Sequence, residues 1–183
     1  KDTKIGYVFQ NYREAMFPWM RTIDNIAYPL KLEGKSKAEV DRRMAELVAS
    51  FDVKFDLNRY PYELSGGQQQ TASIMRALAN GPEVLFLDEP FSALDFEMTL
   101  FIREKLQEVF VQTGTTMLLV SHDLEEAVYL ADQVLLLTKR PTKVAEILPY
   151  GDARPRTVDT LSTPSFVATK KLSLEIFQRE VRR

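Results

Sequence analysis

A chain of 183 residues, 45% hydrophobic and 27% charged, has the composition of one globular domain of ordinary size with at most a modest extension. Lys plus Arg, 24, against Asp plus Glu, 26, leaves a net charge of −2, which argues against a generally basic nucleic-acid binder. With no cysteine there are no disulfides and no thiolate metal sites, and the strongest apolar runs, "TMLLV" and "VLLLT", are strand-sized rather than bilayer-sized.

The opening "IGYVF" at 5–9 predicts a short strand ending at Gln10. "NYREAMFPWMR" reads as a polar and aromatic loop carrying Trp19. Thr22 is a candidate cap for a helix that places Ile23, Ile26, Ala27 and Leu30 on one face, with Pro29 bending it. Ser36 and Glu39 form a capping box ahead of Val40, Met44, Leu47, Val48 and Phe51 at helical spacing. Residues 52–62 read as a connection, and a further helix runs from Ser65 to about Ala79, ended by Gly81–Pro82.

From there strand and helix alternate. "EVLFLD" and "TTMLLVS" read as buried strands, Asp95 to about Gln112 and "DLEEAVYLA" as helices, and "DQVLLLT" as another strand. Such alternation predicts a parallel sheet covered on both faces. "KVAEILPY" is a candidate edge strand, "ARPRT" a turn or linker, and Thr163–Pro164 the start of a C-terminal helix reaching Arg183. The expected organisation is an incomplete α/β core over 1–10 and 81–150, a helical insert over 11–80, and a C-terminal extension over 151–183.

One stretch of this pattern is costly. "LSGGQ", Leu64 to Gln68, puts two glycines in a helix's first turn, each costing roughly 0.5–1 kcal/mol relative to alanine. Ser65 and Gln68 form a Ser-x-x-Gln capping box, and the amides behind them point outward at the positive end of the helix dipole. Without side chains at Gly66 and Gly67 that end is open to an anion such as phosphate. A flexible glycine turn capping an ordinary helix is the alternative.

Asp88 and Glu89 then end the apolar strand Val84–Leu87, where open α/β sheets collect ligands. Two carboxylates there suit a magnesium nucleotide, one holding the metal and the next orienting an attacking water; acidic turn residues are the plain reading. "SALD" adds Asp95 at the next helix start, and the single histidine, His122, follows the strand "TMLLVS".

In this order (Gln10, LSGGQ, apolar strand with Asp88–Glu89, SALD, His122) the sequence resembles the nucleotide-binding subunit of ATP-binding cassette (ABC) transporters over residues 5–138. The resemblance implies a P-loop NTPase-like parallel-sheet core with a helical signature subdomain. It implies magnesium and ATP as cofactors and hydrolysis in a head-to-tail dimer. Gln10 would be the Q-loop glutamine near magnesium and water, and Ser65, Gly66, Gly67 and Gln68 the signature closing on the γ-phosphate held by a second copy. Asp88 would be the metal residue, Glu89 the general base, Asp95 the aspartate across the dimer seam and His122 the switch histidine.

"FPWMRTIDNIAYPLKLEG", "VSHDLEEAVYLAD" and "KRPTKVAEILP" with "ARPRT" resemble importers of the nitrate, sulfonate and taurine group. That implies transmembrane permease subunits, docked near Phe17–Met20 at the cytoplasmic face of the membrane, and indirectly a solute-binding protein. An aromatic patch that merely packs the insert is the alternative there.

Two features depart from the family. The phosphate cradle G-x-x-x-x-G-K-[ST] is absent from the seven glycines of the chain, and Thr71 stands where arginine usually follows the signature. The expectation is that the cradle lies upstream of Lys1 and that the chain alone binds and hydrolyses ATP poorly, with apolar core surface exposed. Two other classes remain open: a catalytically silent assembly module, and a chromosome-maintenance or repair ATPase. The short helical insert and the net charge speak against the latter. Lys170, Lys171, Arg179, Arg182 and Arg183 read as a solvated helix face, with regulation as the alternative.

Overall fold

The computed structural model describes residues 3–92 and 94–182; Lys1, Asp2, Ala93 of the SALD segment and the expected helix end at Arg183 lie outside the described residues. The chain divides into two compact units, residues 1–118 and 119–183.

The first unit is built on a parallel pair, β1 (Ile5–Val8) and β2 (Val84–Asp88), in the register Ile5↔Val84 to Val8↔Leu87. In the three-stranded order β1-β2-β3, the third strand is β3 (Thr116–Val120), whose Thr116 N–H donates to the Glu83 carbonyl; the unit boundary falls within it, after Leu118. Between β1 and β2 lie the helices α1 (Tyr12–Ala15), α2 (Thr22–Leu32), α3 (Lys37–Ser50) and α4 (Gly66–Leu78), and α5 (Phe96–Thr113) follows β2.

Sequence and structure agree on most of these elements. α2 begins one residue earlier than the cap reading, at Thr22 itself with Arg21 as N-cap, and carries Pro29 inside it. The Ser36–Glu39 box is formed, each partner bonding the other's backbone N–H. The segment after Gln10 is not all loop, because Tyr12–Ala15 closes a helical turn that buries Tyr12. In that segment the Asn25 side chain, fully buried, donates to the carbonyls of Phe17, Met20 and Arg21 and accepts from Phe17 N–H.

β1 alternates strictly: Gly6 and Val8 face inward, while Ile5 and Tyr7 are exposed. A Cβ on Gly6 would lie 2.5 Å from the Ala77 carbonyl, so only glycine lets α4 seat this closely on the sheet. Coverage on both faces does not hold for β1, whose outer face stays open as expected of a core with exposed apolar surface.

The second unit contains α6 (Leu124–Leu130), β4 (Gln133–Leu137), β5 (Val144–Pro149) and α7 (Pro164–Arg182). Here the expectation of a continuous parallel sheet fails. The connection between β4 and β5 is too short for a crossover, so the two strands form an antiparallel hairpin of their own, with Leu135 opposite Ile147. One hairpin face packs on Val128, Tyr129, Phe166 and Ile176.

Arg156, inside the "ARPRT" turn, is almost fully buried. Its guanidinium donates to the carbonyls of Val128, Tyr129 and Ala131 at the end of α6 and to Tyr150, and sits 4.5 Å from the Tyr150 ring centroid. It thus caps a helix C-terminus, where the dipole favours a cation. On α7, Lys170 pairs with Glu125 at 2.6 Å, so part of its basic face is used inside this unit. No described helix is long and apolar enough to cross a membrane.

Candidate functional site

The parallel register fixes the first part of the site. With Val8 beside Leu87, the chain two residues on brings Gln10 to Glu89, and the Gln10 amide donates to the Glu89 carboxylate at 2.8 Å. A carboxylate only accepts, so the amide nitrogen must face it, and the Gln10 carbonyl oxygen is left as a potential ligand. Glu89 holds φ at +43°, a backbone conformation that L-residues other than Asn and Asp adopt rarely and at a cost of about 1–3 kcal/mol. The bend is braced from behind: Ser92 donates through both its N–H and its hydroxyl to the Glu89 carbonyl.

Asp88 ends β2 and accepts from the Tyr7 hydroxyl at 3.2 Å. Desolvation on the sheet raises the Tyr7 phenol above its usual range, and the hydrogen bond and charge of Asp88 add to this, so the phenol stays a donor at neutral pH. Among the described residues no three carboxylate, histidine or cysteine groups gather into a metal site. Magnesium carried by a nucleotide needs only one or two protein oxygens beside phosphate and water, and Asp88 with the Gln10 carbonyl meets that need.

The second part is the start of α4. Ser65 is the N-cap, its hydroxyl accepting from Gln68 N–H at 3.3 Å while the Gln68 side chain accepts from Ser65 N–H at 3.0 Å. The amides of Gly66 and Gly67 have no acceptor among the described residues, and no acidic residue stands in this first turn. Packing adds a reason for the glycines. A Cβ on Gly66 would lie 2.6 Å from the Tyr12 hydroxyl, and one on Gly67 2.7 Å from Met98.

α4 ties the two parts together. Buried Gln70 donates to the Pro90 carbonyl at 2.6 Å, directly after Glu89, and Thr71, also buried, donates to the Gly67 carbonyl. Asp95 is the N-cap of α5 and accepts from Met98 N–H at 2.8 Å, and the Met98 side chain lies against Gly67.

Gln10, Asp88, Glu89, the 65–68 turn and Asp95 therefore belong to the first unit. His122 lies in the second, exposed and one residue before Asp123, the N-cap of α6. Sequence reasoning missed Tyr7 and Tyr12. Strand alternation was the available signal for Tyr7, since it shares a face with Phe9 next to the strand end; Tyr12, inside a presumed loop, gave none.

Comparison with known proteins assigns the chain to a family. Residues 1–92 match the family model described as ABC transporter. The chain is 39% identical over 175 residues to the aliphatic sulfonates import ATP-binding protein SsuB of Bacillus subtilis, covering 95% of this chain and 65% of that protein. It is 38% identical to the taurine import ATP-binding protein TauB of Escherichia coli, covering 96% of this chain and 71% of that one. The fold superposes with a TM-score of 0.70, at 29% identity, on the dimeric post-hydrolysis structure of the ATP-binding cassette MJ0796 bound to ADP and Pi, over 82% of this chain and 65% of that one. With the family model matched over half of the chain and relatives at 38–39% identity over nearly all of it, the chain belongs to the ABC transporter family.

Proposed function

We propose that this chain is part of the ATP-hydrolysing subunit of an importer for a small sulfonate-, taurine- or nitrate-like solute. It works as a head-to-tail dimer on magnesium ATP, docked to transmembrane permease subunits at the cytoplasmic face of the membrane and served by a solute-binding protein. The observation that carries the reading is the 2.8 Å contact of Gln10 with Glu89 at the carboxyl ends of two register-paired parallel strands. Residues 11–80 act in it as the helical signature subdomain between the core segments 1–10 and 81–150, with 151–183 as an extension.

Each residue has a part in the chemistry. Asp88 and the Gln10 carbonyl would hold the magnesium, which would supply charge neutralisation for the transferring phosphate. Glu89 accepts a proton from water as its oxygen attacks the γ-phosphorus, and the bond to the β-phosphate oxygen breaks with its electron pair leaving on ADP. His122 steadies the γ-phosphate. Ser65, Gly66, Gly67 and Gln68 offer the α4 amides to the nucleotide of the second copy, and Asp95 contacts that copy across the seam. Near the start of α2, Trp19 is 73% exposed and rests on Phe17 at 5.5 Å, an aromatic surface suited to a permease helix.

The test is Glu89→Gln in the intact subunit. Loss of the base should lower turnover by at least about a hundredfold, while ATP still assembles a dimer visible by light scattering. Unchanged turnover removes Glu89 from its role; absence of an ATP-driven dimer favours a silent module.

A further inference from the structure

A second cation stands at the mouth of the signature helix. Arg13 projects from α1 so that one guanidinium nitrogen, Nη2, lies 3.9 Å from the position a Gly66 Cβ would occupy. It is exposed and makes no ion pair with any described residue; among these, the Tyr12 ring lies 5.8 Å from the guanidinium carbon to the centroid. The neighbouring Tyr12 hydroxyl points at the same spot, 2.6 Å from that Cβ position. It belongs to a side chain only 4% exposed and has no hydrogen-bond partner among the described residues.

These groups all want the same thing. The α4 N-terminus carries partial positive charge and two amides without acceptors, with no acid in its first turn. A guanidinium beside it is repelled by the helix end, and the Tyr12 ring is the contact that offsets this. The arrangement becomes favourable when an anion with several acceptor oxygens sits between them.

We propose that Arg13 is a phosphate-binding residue that extends the signature site, donating to the terminal phosphate of a nucleoside triphosphate held by a second copy of this chain, with the Tyr12 hydroxyl buttressing the turn beneath it. This rests on the dimeric ATPase reading above. It makes residues 12–13, two and three positions after Gln10, serve the opposite nucleotide, so that one short segment touches both sites of the dimer.

The experiment uses the intact subunit in the Glu89→Gln background, titrated with magnesium ATP while dimer formation is followed by light scattering at low and high salt. Arg13→Gln should raise the half-saturating ATP concentration about tenfold, the size of a charge-assisted hydrogen bond. It should also flatten the salt dependence, and Arg13→Lys should recover part of both. An Arg13→Gln variant with an unchanged midpoint and an unchanged salt slope overturns the assignment while leaving the ATPase reading intact. A Glu89→Gln subunit that never dimerises with ATP overturns both.

Discussion

The two Ser-x-x-(Glu/Gln) boxes of this chain, at the starts of α3 and α4, have nearly the same geometry and opposite electrostatics. At α3, Glu39 accepts from both the N–H and the hydroxyl of Ser36 and brings a full negative charge to the dipole's positive end. At α4 the same position holds neutral Gln68, the first turn has two glycines and no acid, and the cation Arg13 lies beside Gly66. One cap is complete within the chain. The other is hydrogen-bonded but left electrostatically open, and that difference separates a helix start that holds structure from one that holds a ligand.

The largest expected effect comes from filling the open cap. Gly66→Ala gains up to about 1 kcal/mol of helix propensity, but its methyl group meets the hydroxyl of a buried tyrosine that cannot swing away. Overpacking of this kind costs about 1–3 kcal/mol. We expect a net loss of stability in urea unfolding together with loss of the ATP-driven dimer. Tyr12→Phe in the same chain should restore stability without restoring the dimer. At Gly67 the obstacle is Met98, a flexible side chain, so Gly67→Ala should be near neutral in stability and still weaken the dimer. If both variants keep the wild-type ATP dependence, the glycines serve packing alone.

The next test converts the open cap into the closed one. Gln68→Glu makes the α4 box resemble that of α3 and should stabilise the isolated helix start by about 0.3–1 kcal/mol. The added carboxylate would face the incoming phosphate, so the ATP concentration needed for dimer formation should rise severalfold, and less so at high salt. Stability gained with ATP affinity unchanged would mean that no anion comes to this turn.

The same pair of caps indicates what was legible in the sequence. Ser36, Glu39, Ser65 and Gln68 announce themselves because capping is local, set by spacing of three along one segment. Val84–Asp88 and the Asp95 helix start were legible for the same reason. What needed the structure was set by register or by distant packing. The Gln10–Glu89 contact follows from β1 and β2 lying parallel with Val8 beside Leu87. Tyr12 and Arg13 sit in a turn that no periodicity reveals. The positive φ of Glu89 belongs to a residue type that normally avoids it. Arg156, read as part of a linker, gathers carbonyls from more than twenty residues away, and β4, read into the parallel sheet, pairs instead with β5 in an antiparallel hairpin.

The smallest effect is also the most discriminating between the caps, because it depends on charge alone. The hydrogen bonds from the Ser36 hydroxyl and then its backbone N–H hold the Glu39 carboxyl below its usual range, with help from Lys35 and Arg42. A carboxyl with a depressed folded-state pKa contributes stability that is present above its unfolded pKa and is lost as pH falls through the folded one. Glu39→Gln should therefore lower stability at neutral pH by a small margin, and the gap from wild type should close on acidification as Glu39 is protonated. The Gln68 box has no such group, so Gln68→Asn should show a pH-independent difference over the same interval. Equilibrium urea midpoints from neutral pH down through the carboxylate range would read both. A Glu39→Gln gap that persists in acid would mean that the α3 cap works by geometry, as the α4 cap does, and the electrostatic contrast between the two helix starts would disappear.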